Sequence, residues 1–344
     1  MGESFILSSV RTPLGFYDLP EIDLARSVSQ ESLVRAGVPA TRLEDVYWGT
    51  SQPGFSNLFS WVTVDRSLAS SGQALHFASQ AILTGDLELV IVGGSQAAQT
   101  LSSQDSEILS HLSTSLESIA GRYHLTRSQA DAWAFESIQR ARRSIEQGGQ
   151  TGLTVCLRLD PGQEIANDEL PTHLASLETF ASIEPLTPAC SLLTEATVCR
   201  LTQGAAALAV ASPKLVGRLN LSPQAIITSR AQAIDRAGDL LSALASVSRQ
   251  ALHLAGLSIQ DVDWIELEEI NALIPLAWMQ EMQADPQKVN PEGGALAYGS
   301  PFHAAGAVSL TRMIHGLERT KGRYGLMLLP AGMGIATATL IERI

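Results

Sequence analysis

The chain has 344 residues, 45% of them hydrophobic and 17% charged, with a formal net charge of −12. That length accommodates two domain-sized units with sizeable cores, and an acidic balance without a basic run excludes a surface built to hold a phosphate backbone. Its three cysteines show no CxxC spacing, so no metal site is expected and a reducing, cytoplasmic setting is; no apolar stretch reaches the ~18 residues of a membrane span.

Alanine, leucine and glycine dominate and aromatics are few, which favours an α/β body of packed helices and buried strands. In chain order, Phe5-Ile6-Leu7 is a short apolar run with no basic region before it, so no secretory leader is expected. Ser27 to Gly37 reads as a helix ended by glycine, followed by the strand Asp45-Val46-Tyr47-Trp48. Leu58 to Val64 is an apolar run that reads as an edge strand. Thr63 to Leu75 reads as a strand end, a tight turn and the first turns of a helix, where backbone N–H groups and the helix dipole would favour an anion. Gln73 to Thr84 continues that helix into the strand-length run Leu87 to Gly94.

Residues 96–113 are rich in Ser and Gln without an apolar period and read as a shortened loop or lid. Thr126 and Gln129 then fit a capping box opening a helix, with Ala130, Ala134, Ile138, Ala141 and Ile145 on one face and Gly148-Gly149 as its stop. Asp160 to Pro188 is acidic and proline-marked, a candidate surface excursion. In the last third, Ser246 to Gly256 repeats the glycine-ended helix and Asp261 to Trp264 repeats its strand, with the link three residues shorter. Ala304 to Arg319 leads into Tyr324 to Gly332 as Gln73 to Thr84 leads into Leu87 to Gly94. The same elements in the same order predict a duplicated architecture, each half a sheet flanked by helices.

Ordered motifs along the whole chain resemble the thiolases. Val10-Arg11-Thr12-Pro13-Leu14-Gly15 resembles the family's R-T-P-x-G, and Gly93-Gly94-Ser95-Gln96 its G-G-x-E with glutamine for the acid. Gln203 to Leu208 resembles D-G-A-A-A, Val289 to Gly299 resembles V-N-x-x-G-G-A-I-A-x-G, and Ala331 to Gly334 resembles G-G-M-G. Thr63 to Ala74 resembles the nucleophile segment T-V-N-R-x-C-x-S-G-L-Q-A. The fold this resemblance implies is the duplicated thiolase body, layered α/β/α/β/α. Its N-terminal half would be 1–95 and 114–212, its reduced lid 96–113 and its C-terminal half 213–344.

The resemblance also marks what is missing. Leu68 stands at the family's nucleophilic cysteine, and a hydrocarbon side chain can neither attack a thioester nor carry an acyl group. Ser300 stands at the histidine of G-H-P, Leu328 at the second cysteine, and Glu268 at the asparagine of N-E-A-F. A serine is no base near neutral pH, and an ionised carboxylate would repel a developing oxyanion. All four catalytic roles are emptied. The implied function is a thiolase-like protein without acyl-CoA acetyltransferase chemistry, serving an acyl-thioester condensing system of fatty acid or polyketide metabolism as a non-catalytic partner, in a homodimer or beside an active enzyme. The alternative is decarboxylation, hydrolysis or transfer of acyl thioesters without a cysteine. The family's coenzyme A region falls near Cys199 and Gly204, with a coenzyme A thioester as the implied ligand.

Residual candidates each have a plainer reading. His303 and Glu269 are potential acid–base groups, and His76 more simply packs in its helix. Ser67, Ser70 and Ser71 cluster at the helix start, where capping and turn bonds are expected. Glu266, Glu268 and Glu269 read with Asp261 and Asp263 as a solvated strand end, because alternation separates neighbours onto opposite faces. Cys156, Cys190 and Cys199 read as buried small hydrophobes, with Cys199 the one to test for reactivity.

Overall fold

The structure is a computed structural model and describes residues 3–17, 19–50, 60–97, 116–160, 162–170, 174, 176–186, 191–235, 238–332 and 334–344. The first half runs β1 (Phe5–Arg11), α1 (Glu21–Ala36), β2 (Asp45–Gly49), β3 (Val62–Val64), α2 (Ser70–Thr84) and β4 (Leu89–Gln96). It continues through α3 (Leu116–Arg122), α4 (Arg127–Glu146), the hairpin β5 (Leu157–Asp160) and β6 (Gln163–Ile165), α5 (Leu177–Ser182) and β7 (Gly204–Ala211). After α6 (Pro213–Leu219) come β8 (Ala225–Ile234), α7 (Leu240–Ala255), β9 (Trp264–Leu267), α8 (Leu273–Met282), α9 (Ala295–Tyr298), α10 (Ala305–Thr320), β10 (Tyr324–Gly332) and β11 (Ile335–Arg343).

The repeat seen in the sequence is realised in three dimensions. Helix α1 stops at Gly37 (φ 66°) and α7 at Gly256 (φ 69°), each a left-handed cap whose N–H returns to the last turn. A single 3-10 turn then leads to β2 in one case and β9 in the other. The nine-stranded sheet has the order β3-β2-β4-β7-β1-β8-β11-β10-β9. Outward from the β1/β8 seam, each half presents its first strand, then its last, then the strand after its central helix, then the strand after its glycine-ended helix. The directions match as well: β1–β7 and β7–β4 are antiparallel and β4–β2 parallel, as β8–β11 and β11–β10 are antiparallel and β10–β9 parallel. β3 adds an outer edge to the first half.

Strand alternation separates two cores. In β4, Leu89 and Ile91 pack with Leu24 and Val28 of α1, while Val90 and Val92 face a second core shared with α2, α10 and the other half. β7 repeats this, with Ala205, Ala207, Ala209 and Ala211 outward and Ala206, Leu208 and Val210 inward. Both faces are buried, so these strands read as unbroken apolar runs rather than alternating ones.

The central layer is the pair α2 and α10. They meet where a Cβ on Gly306 would come within 2.7 Å of Gly72 N, and Ser71 Oγ accepts from Ala307 N at 3.0 Å. Helix α2 also reaches both halves of the sheet, through Ser4–Ser79 at 2.6 Å just before β1 and His76–Thr339 at 2.9 Å on β11. With α1 outside the first half of the sheet and α7 outside the second (Ser229 Oγ donates to Ala251 O at 2.7 Å), the order is α/β/α/β/α.

The capping box of α4 forms as its sequence predicts, Thr126 accepting from Gln129 N and Gln129 from Thr126 N. Residues 160–188 are more than a surface excursion. Asp168, fully buried, accepts two bonds from Arg11 at 2.6 Å, and Phe180 is fully buried. A carboxylate at the end of β1's arginine secures that segment to the first sheet. Of the stretch read as a lid, only Gln96 and Ala97 lie among the described residues, and Leu58, Phe59 and Cys190 lie outside them.

Candidate active site

Strand β3 ends at Val64 and the chain turns through 65–69 into α2, as the sequence predicts. Leu68 occupies that turn, only 1% exposed, in the same apolar core as Leu328. Three other positions are joined by direct bonds. Ser300 follows the short helix α9, and its backbone is clamped by Arg200 and Thr202 (Ser300 N to Arg200 O 2.7 Å, Thr202 N to Ser300 O 3.0 Å). Ser300 Oγ donates to Glu268 Oε1 at 2.5 Å, and Glu268 N donates to Leu328 O at 3.1 Å.

Glu266, Glu268 and Glu269 do not form a solvated strand end; all three are buried. Alternation misleads here because β9 is buried throughout, Glu266 included, and because it stops at Leu267, after which the chain enters a buried connection toward α8. Each carboxylate finds a different solution. Glu266 pairs with Arg312 of α10 and accepts from Trp264 Nε1 at 2.9 Å. Glu269 accepts from Trp133 Nε1 (2.9 Å), Ser137 Oγ (2.9 Å) and Leu296 N (3.2 Å), which ties α4 to the head of α9 and satisfies both carboxylate oxygens. Among the described residues, Glu268 has only the Ser300 hydroxyl as a hydrogen-bonding side-chain partner. Burial pushes its carboxyl up to about 7, helped by Glu269 and Glu266 and opposed by Ser300 and Arg312.

His303 is buried beside β4. Gln96 Nε2 donates to Ala97 O at 2.9 Å, which turns Gln96 Oε1 toward His303 Nδ1 at 2.8 Å. An amide oxygen only accepts, so Nδ1 carries the hydrogen and Nε2 is the basic nitrogen of the neutral ring. Nε2 lies 3.6 Å from Asp65 Oδ1. His76 bonds Thr339, and burial with Arg230 and Arg66 nearby lowers its pKa to about 3, so it packs as a neutral ring. Ser70 Oγ accepts from Arg66 N at 2.8 Å and donates to Ser67 O at 2.6 Å, the turn role expected of it.

Cys156 is exposed, contrary to the expectation of a buried small hydrophobe, because it lies just before the two-stranded β5–β6 hairpin rather than in the core. Cys199 is half-buried, its N–H bonded to Ile270 O at 2.9 Å. Burial and the nearby Glu268 and Glu269 charges push its thiol pKa up, which disfavours the reactive thiolate. Gly204 opens β7 in a buried place where a Cβ would meet the far end of the Leu14 side chain at 2.4 Å. The sequence offered no sign of two further participants, Arg312 and Asp65. The substituted Gln96 was visible, but its bond to a histidine far along the chain was not.

The thiolase N-terminal domain family matches residues 4–214, and the thiolase C-terminal domain family matches residues 221–343. The chain belongs to the thiolase family. The steroid 3-ketoacyl-CoA thiolase FadA6 of Mycobacterium tuberculosis is 32% identical over 394 residues, covering 100% of this chain and 95% of the relative. Among solved structures, the acetyl-CoA acetyltransferase of Syntrophomonas wolfei superposes with a TM-score of 0.92 at 24% identity, covering all of both chains. The human mitochondrial 3-ketoacyl-CoA thiolase in complex with CoA gives 0.89 at 22%, covering 100% of this chain and 98% of that one. These two likenesses are of fold. Inside this thiolase body, the Glu268 carboxyl and the His303 imidazole are buried groups that carry exchangeable protons. Among the described residues, no helix is long and apolar enough to cross a membrane.

Proposed function

We propose that this thiolase has lost the acyl transfer named in its relatives and acts as a partner of an acyl-thioester enzyme. One observation carries the reading: the residue at the head of α2 is Leu68, a buried hydrocarbon with no nucleophilic atom. Ser300, bonded to a carboxylate rather than poised as a base, supports it. The partner would be a second copy or a cysteine-bearing member of the family in the cytoplasm. It would meet the edge strand β3, whose Val62 is 48% exposed. Thiolysis of acetoacetyl-CoA by coenzyme A tests the loss, and turnover by the purified chain would overturn it. A monomeric mass in solution, with no acyl-transfer enzyme captured from the native cell, would remove the partner role.

A second reading is favoured by Glu268 and His303: acyl-thioester chemistry without a cysteine, with a coenzyme A thioester as the substrate. A carboxyl near 7 can both give and take a proton at physiological pH. Hydrolysis of a panel of acyl-CoA and acyl-carrier substrates separates the two readings, with Glu268→Gln and His303→Ala as the diagnostic variants.

A further inference from the structure

We infer that Ser67, one residue before the emptied cysteine position, is a displaced nucleophile for acyl thioesters, with His303 as its base. The inference rests on the second reading above. Three observations point to this residue rather than to its neighbours.

The first is backbone conformation. Ser67 has φ 55° at the turn between β3 and α2. Left-handed backbone at a non-glycine residue is strained, and such strain collects at functional turns. A serine on a sharp strand-to-helix turn is the arrangement by which hydrolases project a nucleophilic hydroxyl.

The second is hydrogen bonding. Ser67 is 6% exposed, and its hydroxyl has no hydrogen-bond partner among the described residues. Ser70 spends its hydroxyl on the turn, and Ser71 spends its own on Ala307. A buried hydroxyl left unpaired costs stability, so it calls for a reason. A hydroxyl kept for a substrate supplies one.

The third is the neighbour. Asp65 Oδ1 accepts from Ser67 N at 3.2 Å and lies 3.6 Å from His303 Nε2. The same carboxylate therefore touches the serine's backbone and the basic nitrogen of the ring, while Gln96 fixes the tautomer from the other side. Asp65 has a side chain 58% exposed, so the cluster reaches solvent there. The fifteen-residue helix α2 begins three residues on, with its positive end toward the turn.

The chemistry closes without another reagent. Ser67 Oγ bonds to the carbonyl carbon of the acyl thioester, and its proton passes to His303 Nε2. The C–S bond breaks, and the thiolate takes that proton and leaves as a thiol. Water then attacks the acyl ester, one proton passing through the same nitrogen to Ser67 Oγ as the C–O bond breaks. The sum is thioester plus water giving carboxylic acid plus thiol. The hydroxyl closes on the ring when the acyl group binds, as catalytic hydrogen bonds commonly tighten in the complex.

The test uses the full chain and a biotinylated fluorophosphonate, with the adduct located by peptide mass spectrometry, and follows acetyl-CoA hydrolysis in parallel. A single adduct on Ser67 is expected, forming about a hundredfold more slowly in His303→Gln. Ser67→Gly is expected to lose the adduct while melting at or above the wild-type temperature, since glycine takes a positive φ without strain. No adduct, or an adduct that survives in Ser67→Gly, overturns the assignment. Hydrolysis that persists in Ser67→Gly also overturns it but leaves the cysteine-free reading standing. Absence of both adduct and hydrolysis in the wild type removes both.

Discussion

Ser300 Oγ and Glu268 Oε1 are 2.5 Å apart, both side chains buried, at two positions thirty-two residues apart in the chain that the resemblance sets against the family's histidine and asparagine. The two departures satisfy each other. A buried glutamate needs a donor, and a buried serine needs an acceptor. A site that reads as two separate losses is one new bonded pair.

That pair makes stability depend on pH. The Glu268 carboxyl rises from its ordinary 4.5 to about 7 in the folded chain. Between those values the folded chain holds a proton that the unfolded chain has released. Its contribution is therefore fully present below about 4.5, falls as pH rises, and is gone above about 7, a change of about 3 kcal/mol. Urea denaturation at pH 5 and pH 8 should show this difference in the wild type and a much smaller one in Glu268→Gln. Equal pH dependence in both would contradict it.

Arg312→Met should act at two places. It strands Glu266 without its ionic partner inside the protein, at a cost of about 3–5 kcal/mol. It also removes one of the influences that lower the Glu268 pKa, so that carboxyl should titrate at higher pH than in the wild type. Denaturant midpoints read the first effect and carboxyl-labelled NMR the second.

Leu68→Ala should cost about 2–5 kcal/mol, as a buried leucine truncated in a packed core. Leu68→Cys should be milder and should still give no thiolysis of acetoacetyl-CoA, because position 300 offers a hydroxyl already bonded to a carboxylate. A thiolysis assay showing turnover in this single variant would mean that another group activates the thiol.

The crossing of α2 and α10 should tolerate one methyl better than the other. A Cβ at Gly72 would meet the far end of Leu329 at 2.5 Å, which can swing aside. At Gly306 it would press against Gly72 N at 2.7 Å, and backbone cannot swing aside. Gly306→Ala should therefore cost about 1–3 kcal/mol and Gly72→Ala less, read as the order of their thermal midpoints.

The duplicated architecture was legible because repetition is local. Each glycine-ended helix and its strand carry their own signals, and apolar runs announce strands buried on both faces. Leu68, Ser300, Leu328 and Glu268 read as departures for the same reason, each standing in a short motif that resembles the family's. The acidic cluster was misread because alternation holds only within a strand, and the glutamates at 268 and 269 lie past the end of β9. Cys156 was misread because three isolated cysteines carry no positional signal.

By itself the sequence determined which side chains are absent: no thiol at 68 or 328 and no imidazole at 300. The atoms a position offers are set by the residue that stands there, whatever the fold does around it. Only the tertiary structure decided what the remaining groups do. It joined Glu268 to Ser300, set His303 between Gln96 and Asp65, and left the Ser67 hydroxyl without a partner among the described residues, on a strained turn. A hydrogen bond depends on distance and direction between residues far apart in the chain, and those are fixed only when the sheets close over their central helices.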